Sequence, residues 1–199
     1  VSIGTSKDQT AVSSGRLIEE WTELDAEGRD RRYRRYESTA LDRGKFTVFS
    51  GRYNLHRTTD YRVPIEIYYH PGHSDNVELI AEQVGQALDF YETTFGPYPF
   101  EQVRVAEFIY YDGMVFSEGG TIGIPEVLVW KSEAIGEGRD HIIDWVTYLL
   151  AHAWWEDQMI AADVAGGMTI RESLSAYAST LYQRSLQTPA ETLQASRRQ

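Results

Sequence analysis

His152 and Glu172 are the residues whose types and placing suit a reaction centre: an imidazole and a carboxylate within YLLAHAWWEDQMIAADVAGGMTIRESLSAY, residues 148–177. The stretch reads as two helices joined by a loop, with His152 on the first and Glu172 near the start of the second. Two histidines four residues apart share one helical face and can hold zinc. A glutamate beside the first activates the metal-bound water, and a carboxylate from elsewhere completes the ligand set. Here the five positions are Tyr148-Leu149-Leu150-Ala151-His152. Set against that pattern, Tyr148 takes the place of the first histidine and Leu149 the place of the glutamate. Leu149 takes no proton, and Tyr148 binds zinc well only as a phenolate, from an ordinary pKa of about 10. With one ligand gone, several kcal/mol are lost from the ~10–16 kcal/mol typical of complete structural sites.

Each of the two retained groups also has a purely structural explanation. His152 shares a face with Trp145, Tyr148 and Leu149, and an isolated histidine on such a face is commonly a core residue with satisfied ring nitrogens. Thr169-Ile170-Arg171-Glu172 is a T-x-x-E capping box, in which Glu172 returns a hydrogen bond to the Thr169 amide. Glu156 and Asp157 follow His152 by four and five residues, and Glu156 reaches the same face. A second histidine pair, His70 and His73, flanks Pro71-Gly72. Neither helix nor strand periodicity puts both on one face, so they read as surface polar residues, with metal binding as the alternative.

The elements that must position these groups follow from periodicity. Leu17–Asp25 and Arg29–Ser38 flank a turn at Ala26-Glu27-Gly28 and read as a hairpin, with Glu19, Glu20 and Glu23 opposite Arg31, Arg32 and Arg34. Val63, Ile65, Ile67 and Tyr69 alternate as a half-buried strand, with Pro64 at its first residue or at a sheet edge. Ser74 or Asp75 caps a helix whose stripe is Val77, Ile80, Ala81, Val84, Leu88 and Tyr91, ended by Gly96-Pro97. Val103, Val105 and Ile109, with Phe108 and Tyr110 on the other face, make a strand buried on both sides. The βαβ order gives a small sheet with helices packed on it. Asp140 caps a central helix over 141–156, and Ile170, Leu174, Tyr177 and Leu181 form the buried stripe of the next. Thr188-Pro189-Ala190-Glu191 signals one more short helix.

HAWWEDQMIAADVAGGMTIRESLSAY resembles the zinc-site segment of aminopeptidase-N-like metallopeptidases, the gluzincins. It is most similar to the branch fused to ABC-transporter-type permeases, with its pattern HExxHQWWxxQxIxAxVxGGxxLxESLAxY. Trp154, Trp155, Gln158 and Gly167 match, as do the upstream segments IEIYYHPGH (65–73), FGPYPF (95–100) and GGTIGIPE (119–126), about three quarters of the chain. The resemblance implies an α+β, thermolysin-like fold. It implies that residues 1–60 end a β-rich domain, that 61–187 form the peptidase-like domain, and that 188–199 form a short helical or irregular tail. It makes His152 the second zinc histidine and Glu172 the downstream ligand. It assigns the substrate edge to Glu118, Gly120 and Thr121, with Glu118 as the candidate anchor for a peptide's α-amino group. Glu118 also reads as an ordinary loop carboxylate, since the GxMEN pattern is absent. Relatives continue into a helical domain that supplies the oxyanion-stabilising tyrosine, whereas only a short helix is expected after Gln187.

Composition narrows the remaining classes. The formal charge of −11, from 19 basic and 30 acidic residues, opposes nonspecific nucleic-acid binding, which neutralises phosphates with cations. The basic run RRYRRY lies beside an acidic partner strand and does not reverse that. No apolar run reaches the ~18 residues of a membrane span, and no cysteine provides a thiolate, a disulfide or a compartment signal. The sequence therefore predicts an inactive metallopeptidase-like domain with weak zinc binding at most. A peptide is its expected partner, and the resemblance implies a larger membrane-associated polypeptide on the extracytoplasmic side of a bacterial membrane. The alternatives are an active zinc aminopeptidase recruiting Tyr148, Glu156 or Asp157, and an engineered or truncated scaffold without ligand.

Overall fold

The computed structural model describes residues 1–38, 46–109, 114–131, 135–159 and 166–187. The expected tail helix at 188–199 and Tyr110 lie outside the described residues.

The hydrophobic strand IEIYY pairs on both sides, and the main sheet grows outward from it. Its strands are β6 (Asn54–Thr58), β7 (Ile65–Tyr69), β8 (Val103–Phe108), β9 (Phe116–Glu118) and β10 (Thr121–Pro125). Their order is β6-β7-β8-β10-β9, with β7, β8 and β10 parallel and the two edge strands antiparallel. Helix α1 (Val77–Phe95) makes the crossover between β7 and β8. Ile65, Ile67, Val103, Val105, Ile122 and Ile124 join one core with Ile80, Val84 and Leu88 of α1. The fold is α+β, as expected.

A half-buried β7 is corrected by the second face of this sheet. Tyr68 and Ala106 there pack on Val12 and Phe49, from β2 (Thr10–Ser13) and β5 (Val48–Gly51), which form their own two-stranded sheet. Strand β8 also stops at Phe108, and Ile109 is exposed rather than buried.

The predicted hairpin is present as β3 (Arg16–Leu24) and β4 (Asp30–Glu37), with β1 (Ser2–Ser6) on the far side of β4. Glu20 opposes Arg34 and Glu23 opposes Arg31, while Glu19 opposes Arg35 because of an irregularity after Leu17. The four arginines of RRYRRY each approach a carboxylate: Arg31 to Asp25, Arg32 and Arg34 to Glu20, and Arg35 to Glu19. Arg34 also reaches Tyr68 Oη (3.3 Å), and Arg104 binds Glu66 (2.8 Å) on the same sheet face. The basic run is thus tied to the sheet by buried charge-assisted bonds.

Three helix starts differ from the sequence reading. Asn76 precedes α1, with its amide nitrogen donating to Val129 O (2.5 Å) rather than capping the helix. Helix α2 (Glu137–His152) begins after Gly136, which places Asp140 in its first turn instead of at its cap. Helix α3 (Gly167–Leu186) begins after Gly166, whose left-handed φ of 92° suits glycine. The start at Gly167 moves Thr169 inside the helix, and no side-chain cap forms. The capping box predicted for Glu172 is therefore not made.

Candidate functional site

His152 ends α2, and the chain then continues as a π-helical turn over Ala153–Asp157. Such turns often mark functional positions in a helix. Trp154 inserts behind this turn, donating its indole N–H to Gly96 O (2.9 Å) and packing on Tyr91 and Tyr98. The conspicuous Trp154 is thus a support for the turn rather than a reacting group.

The turn sets Glu156 against His152, with Glu156 Oε2 2.9 Å from Nδ1, while Glu156 Oε1 accepts from Arg171 (2.6 Å). A carboxylate on one ring nitrogen fixes the tautomer and aims the other nitrogen, the arrangement that zinc-bound histidines use. The aimed atom here is Nε2. It is buried without a hydrogen-bond partner, 3.8 Å from Glu172 Oε2. His152, Glu156 and Glu172 can bring one donor atom each within 4.8 Å of one another.

The two substituted positions close this centre. Tyr148 stacks edge-on to His152 (4.9 Å between ring centres) and donates its hydroxyl to Glu172 Oε2 in a short hydrogen bond. Burial, and then the hydrogen bond and charge of Glu172, push the Tyr148 hydroxyl well above its ordinary range. It is a neutral donor that occupies a Glu172 oxygen, not a phenolate ready to ligate. Leu149 is 1% exposed and lies within the main core. Leu149 offers neither a proton acceptor nor an opening for water.

These residues do not fit a catalytic zinc ion. His152 Nε2 and Glu172 offer two donors, Glu156 is engaged by Arg171 and His152, and Leu149 offers no base.

The predicted substrate edge divides into two parts. Strand β9 is a sheet edge beside α2, and Ser117 Oγ donates to Leu149 O (2.9 Å). Glu118 Oε2 accepts from Thr47 (2.8 Å) at the mouth of an aromatic concavity of about 600 Å³ lined by Phe46, Phe49, Phe108 and Phe116. Thr121 is fully buried with its hydroxyl on Ser13 O, and the Gly120 carbonyl accepts from the Arg104 amide. Thr121 and Gly120 fasten β10 and β8 to the strand below, so of the three only Glu118 remains beside a groove.

Asp157 is a further acid of the site. Burial, then the charges of Glu156 and Glu118, push its carboxyl up to about 7, against an opposing hydrogen bond from the Gly119 amide. Sequence named Asp157 only as a spare ligand. Its partner Gly119 is 38 residues away in the chain, and no periodicity links the two.

No family model matches the chain. Aminopeptidase 2 of Candida albicans is 24% identical over 123 residues, which cover 60% of this chain and 13% of that protein. The crystal structure of Legionella pneumophila aminopeptidase A in complex with aspartic acid superimposes with a TM-score of 0.80. That match has 19% identity and covers 92% of this chain and 22% of that one. The fold is therefore aminopeptidase-like, and the chain spans less than a quarter of either relative.

Proposed function

We propose that this chain is the core of a gluzincin-type, thermolysin-like peptidase domain whose hydrolytic centre has been closed, and that it serves as a peptide-binding or structural module. The observation that carries the reading is the Tyr148–Glu172 hydrogen bond, beside a Leu149 buried in the core at the general-base position. Metal-assisted peptide hydrolysis requires three protein ligands, an open water position, a base and an oxyanion partner. The first three of these are compromised by two adjacent residues. A peptide lying along the β9 edge with its amino group toward Glu118 is the binding mode this reading entails. Residues 1–60 then hold the end of a preceding β-rich unit, although β6 within them pairs with β7 of the main sheet. The parent is a membrane-associated polypeptide, with the domain on the extracytoplasmic side of a bacterial membrane. No helix among the described residues is long and apolar enough to cross a membrane.

The test is turnover of aminoacyl-p-nitroanilides with added zinc, run beside binding of short peptides followed by tryptophan fluorescence. The expected outcome is saturable peptide binding without zinc-dependent turnover. A second reading, an active aminopeptidase with a non-standard ligand set, is favoured by one observation: the donors of His152, Glu156 and Glu172 already lie within 4.8 Å of one another. Zinc-dependent turnover abolished by His152→Ala would establish that second reading and remove the first.

A further inference from the structure

The HPGH segment that looked like an exposed turn folds back on itself. Gly72 takes a φ of 91°, open to glycine, and the His73 amide bonds the His70 carbonyl (3.0 Å). The reversal brings both imidazoles over the end of β8, where Glu107 is completely buried. Glu107 Oε1 lies 2.5 Å from His73 Nδ1 and 3.5 Å from His70 Nδ1, and Oε2 accepts from the His70 amide (2.6 Å). Among the described residues no lysine or arginine pairs with this carboxylate; its ionic partners are the two imidazoles. The surface-polar reading of His70 and His73 is therefore corrected.

We propose that His70, His73 and Glu107 form a binding site for a divalent transition-metal ion of the zinc class, separate from the His152 centre. Two imidazole nitrogens and a carboxylate oxygen are a donor set that zinc accepts, and the three can supply one atom each within 4.8 Å. Tetrahedral bonds of about 2.0–2.1 Å separate donor atoms by roughly 3.3 Å. The His70 nitrogen is already at that spacing from Glu107. The His73 nitrogen must retreat by under about 1 Å, and its side chain is 20% exposed and on the solvent side of the turn.

The surroundings resemble the outer shell of such a site. Tyr53 stacks on His70 (5.2 Å, 14° between planes), and its hydroxyl donates to the Glu107 carbonyl (2.7 Å). Ring and backbone are thus both held. Glu107 Oε2, bonded to the His70 amide, leaves Oε1 to face the ion. The partly exposed imidazoles give the metal a route in and leave an outward position for water. Bound metal would clasp the turn between β7 and α1 to β8.

The experiment is a calorimetric titration of the chelator-treated 199-residue chain with zinc at pH 8, repeated with His73→Ala, His70→Ala and His152→Ala, each checked for folding by circular dichroism. Cobalt(II) is then used on the unmodified chain, with NMR assignment of the histidine signals it perturbs. One equivalent is expected, unchanged in H152A. Loss of a direct ligand in H73A or H70A should weaken it by at least about 100-fold, since outer-shell partners alone are worth about 10–100-fold. Cobalt should perturb His70 and His73 first. Absence of zinc binding, binding that survives H73A, or cobalt perturbation confined to His152 would each overturn the proposal. Survival of the ion in H152A keeps this site independent of the peptidase-like reading.

Discussion

Two clusters of imidazole and carboxylate behave in opposite ways. At the His152 centre the side chains have turned to one another: Tyr148 takes Glu172, and Arg171 takes Glu156. At the His70 cluster a wholly buried carboxylate has only imidazoles as its salt-bridge partners among the described residues. A ligand set is defined by what its donors are otherwise doing. A buried carboxylate must be paired or hydrogen-bonded, and the two centres meet that demand with different groups. A neutral phenol at Glu172 leaves little room for a cation, whereas the two partly exposed imidazoles at Glu107 can turn their ring nitrogens to one.

The sharpest way to break this contrast is to rebuild the first centre. Tyr148→His with Leu149→Glu sets a histidine four residues before His152 and a carboxylate beside it, and should raise zinc affinity there by orders of magnitude, measured by calorimetry in an H73A background. Without zinc the same variant should be destabilised, because Leu149→Glu sets a carboxylate into apolar surroundings. Next in size, Leu149→Ala should cost about 2–5 kcal/mol in urea unfolding, the range for emptying a packed leucine site, if the position now belongs to the core.

Asp157 gives a pH test. Its folded-state pKa of about 7 lies above the unfolded value of 3.8, so the native state holds the extra proton between the two. Its contribution to stability is fully present below pH 3.8 and is lost as pH rises toward 7. Asp157→Asn should remove that slope and leave the protein more stable than the parent at pH 8, read from thermal melts across the series. The smallest effect is expected from Tyr148→Phe, which frees Glu172. It should cost about 0.5–1.5 kcal/mol, the net worth of one hydrogen bond, and tighten zinc slightly at the first centre while leaving the His70 cluster unchanged.

The sequence showed most clearly what repeats locally. The stripe Val77, Ile80, Ala81, Val84, Leu88 and Tyr91 is buried throughout, whereas the stripe predicted for α3 is not, since Ile170 and Tyr177 are exposed and Ala178 and Tyr182 are buried instead. The hairpin with its opposed charges was also legible. The interior place of β7 was not, because Tyr68 and Glu66 are covered by strands more than ten residues away in the chain, and alternation cannot report a second layer. Helix starts were misplaced where polar residues offered caps, while Gly136 and Gly166 stand at the actual N-termini. At the site, His152 and Glu172 do come together. The i, i+4 spacing put Glu156 and Tyr148 on the face of His152, whereas the Arg171–Glu156 and Tyr148–Glu172 contacts cross between elements and no spacing announces them. The His70 cluster was missed because Glu107 lies 34 residues beyond His73 and becomes its neighbour only through the parallel β7–β8 pairing.

The central claim is that the His152–Glu172 centre is closed to zinc. It is tested most directly by titrating zinc into the chelator-treated His73→Ala variant, in which the other proposed site is disabled. The account predicts no tight equivalent and no further change on adding His152→Ala. One tightly held ion that His152→Ala releases would contradict it.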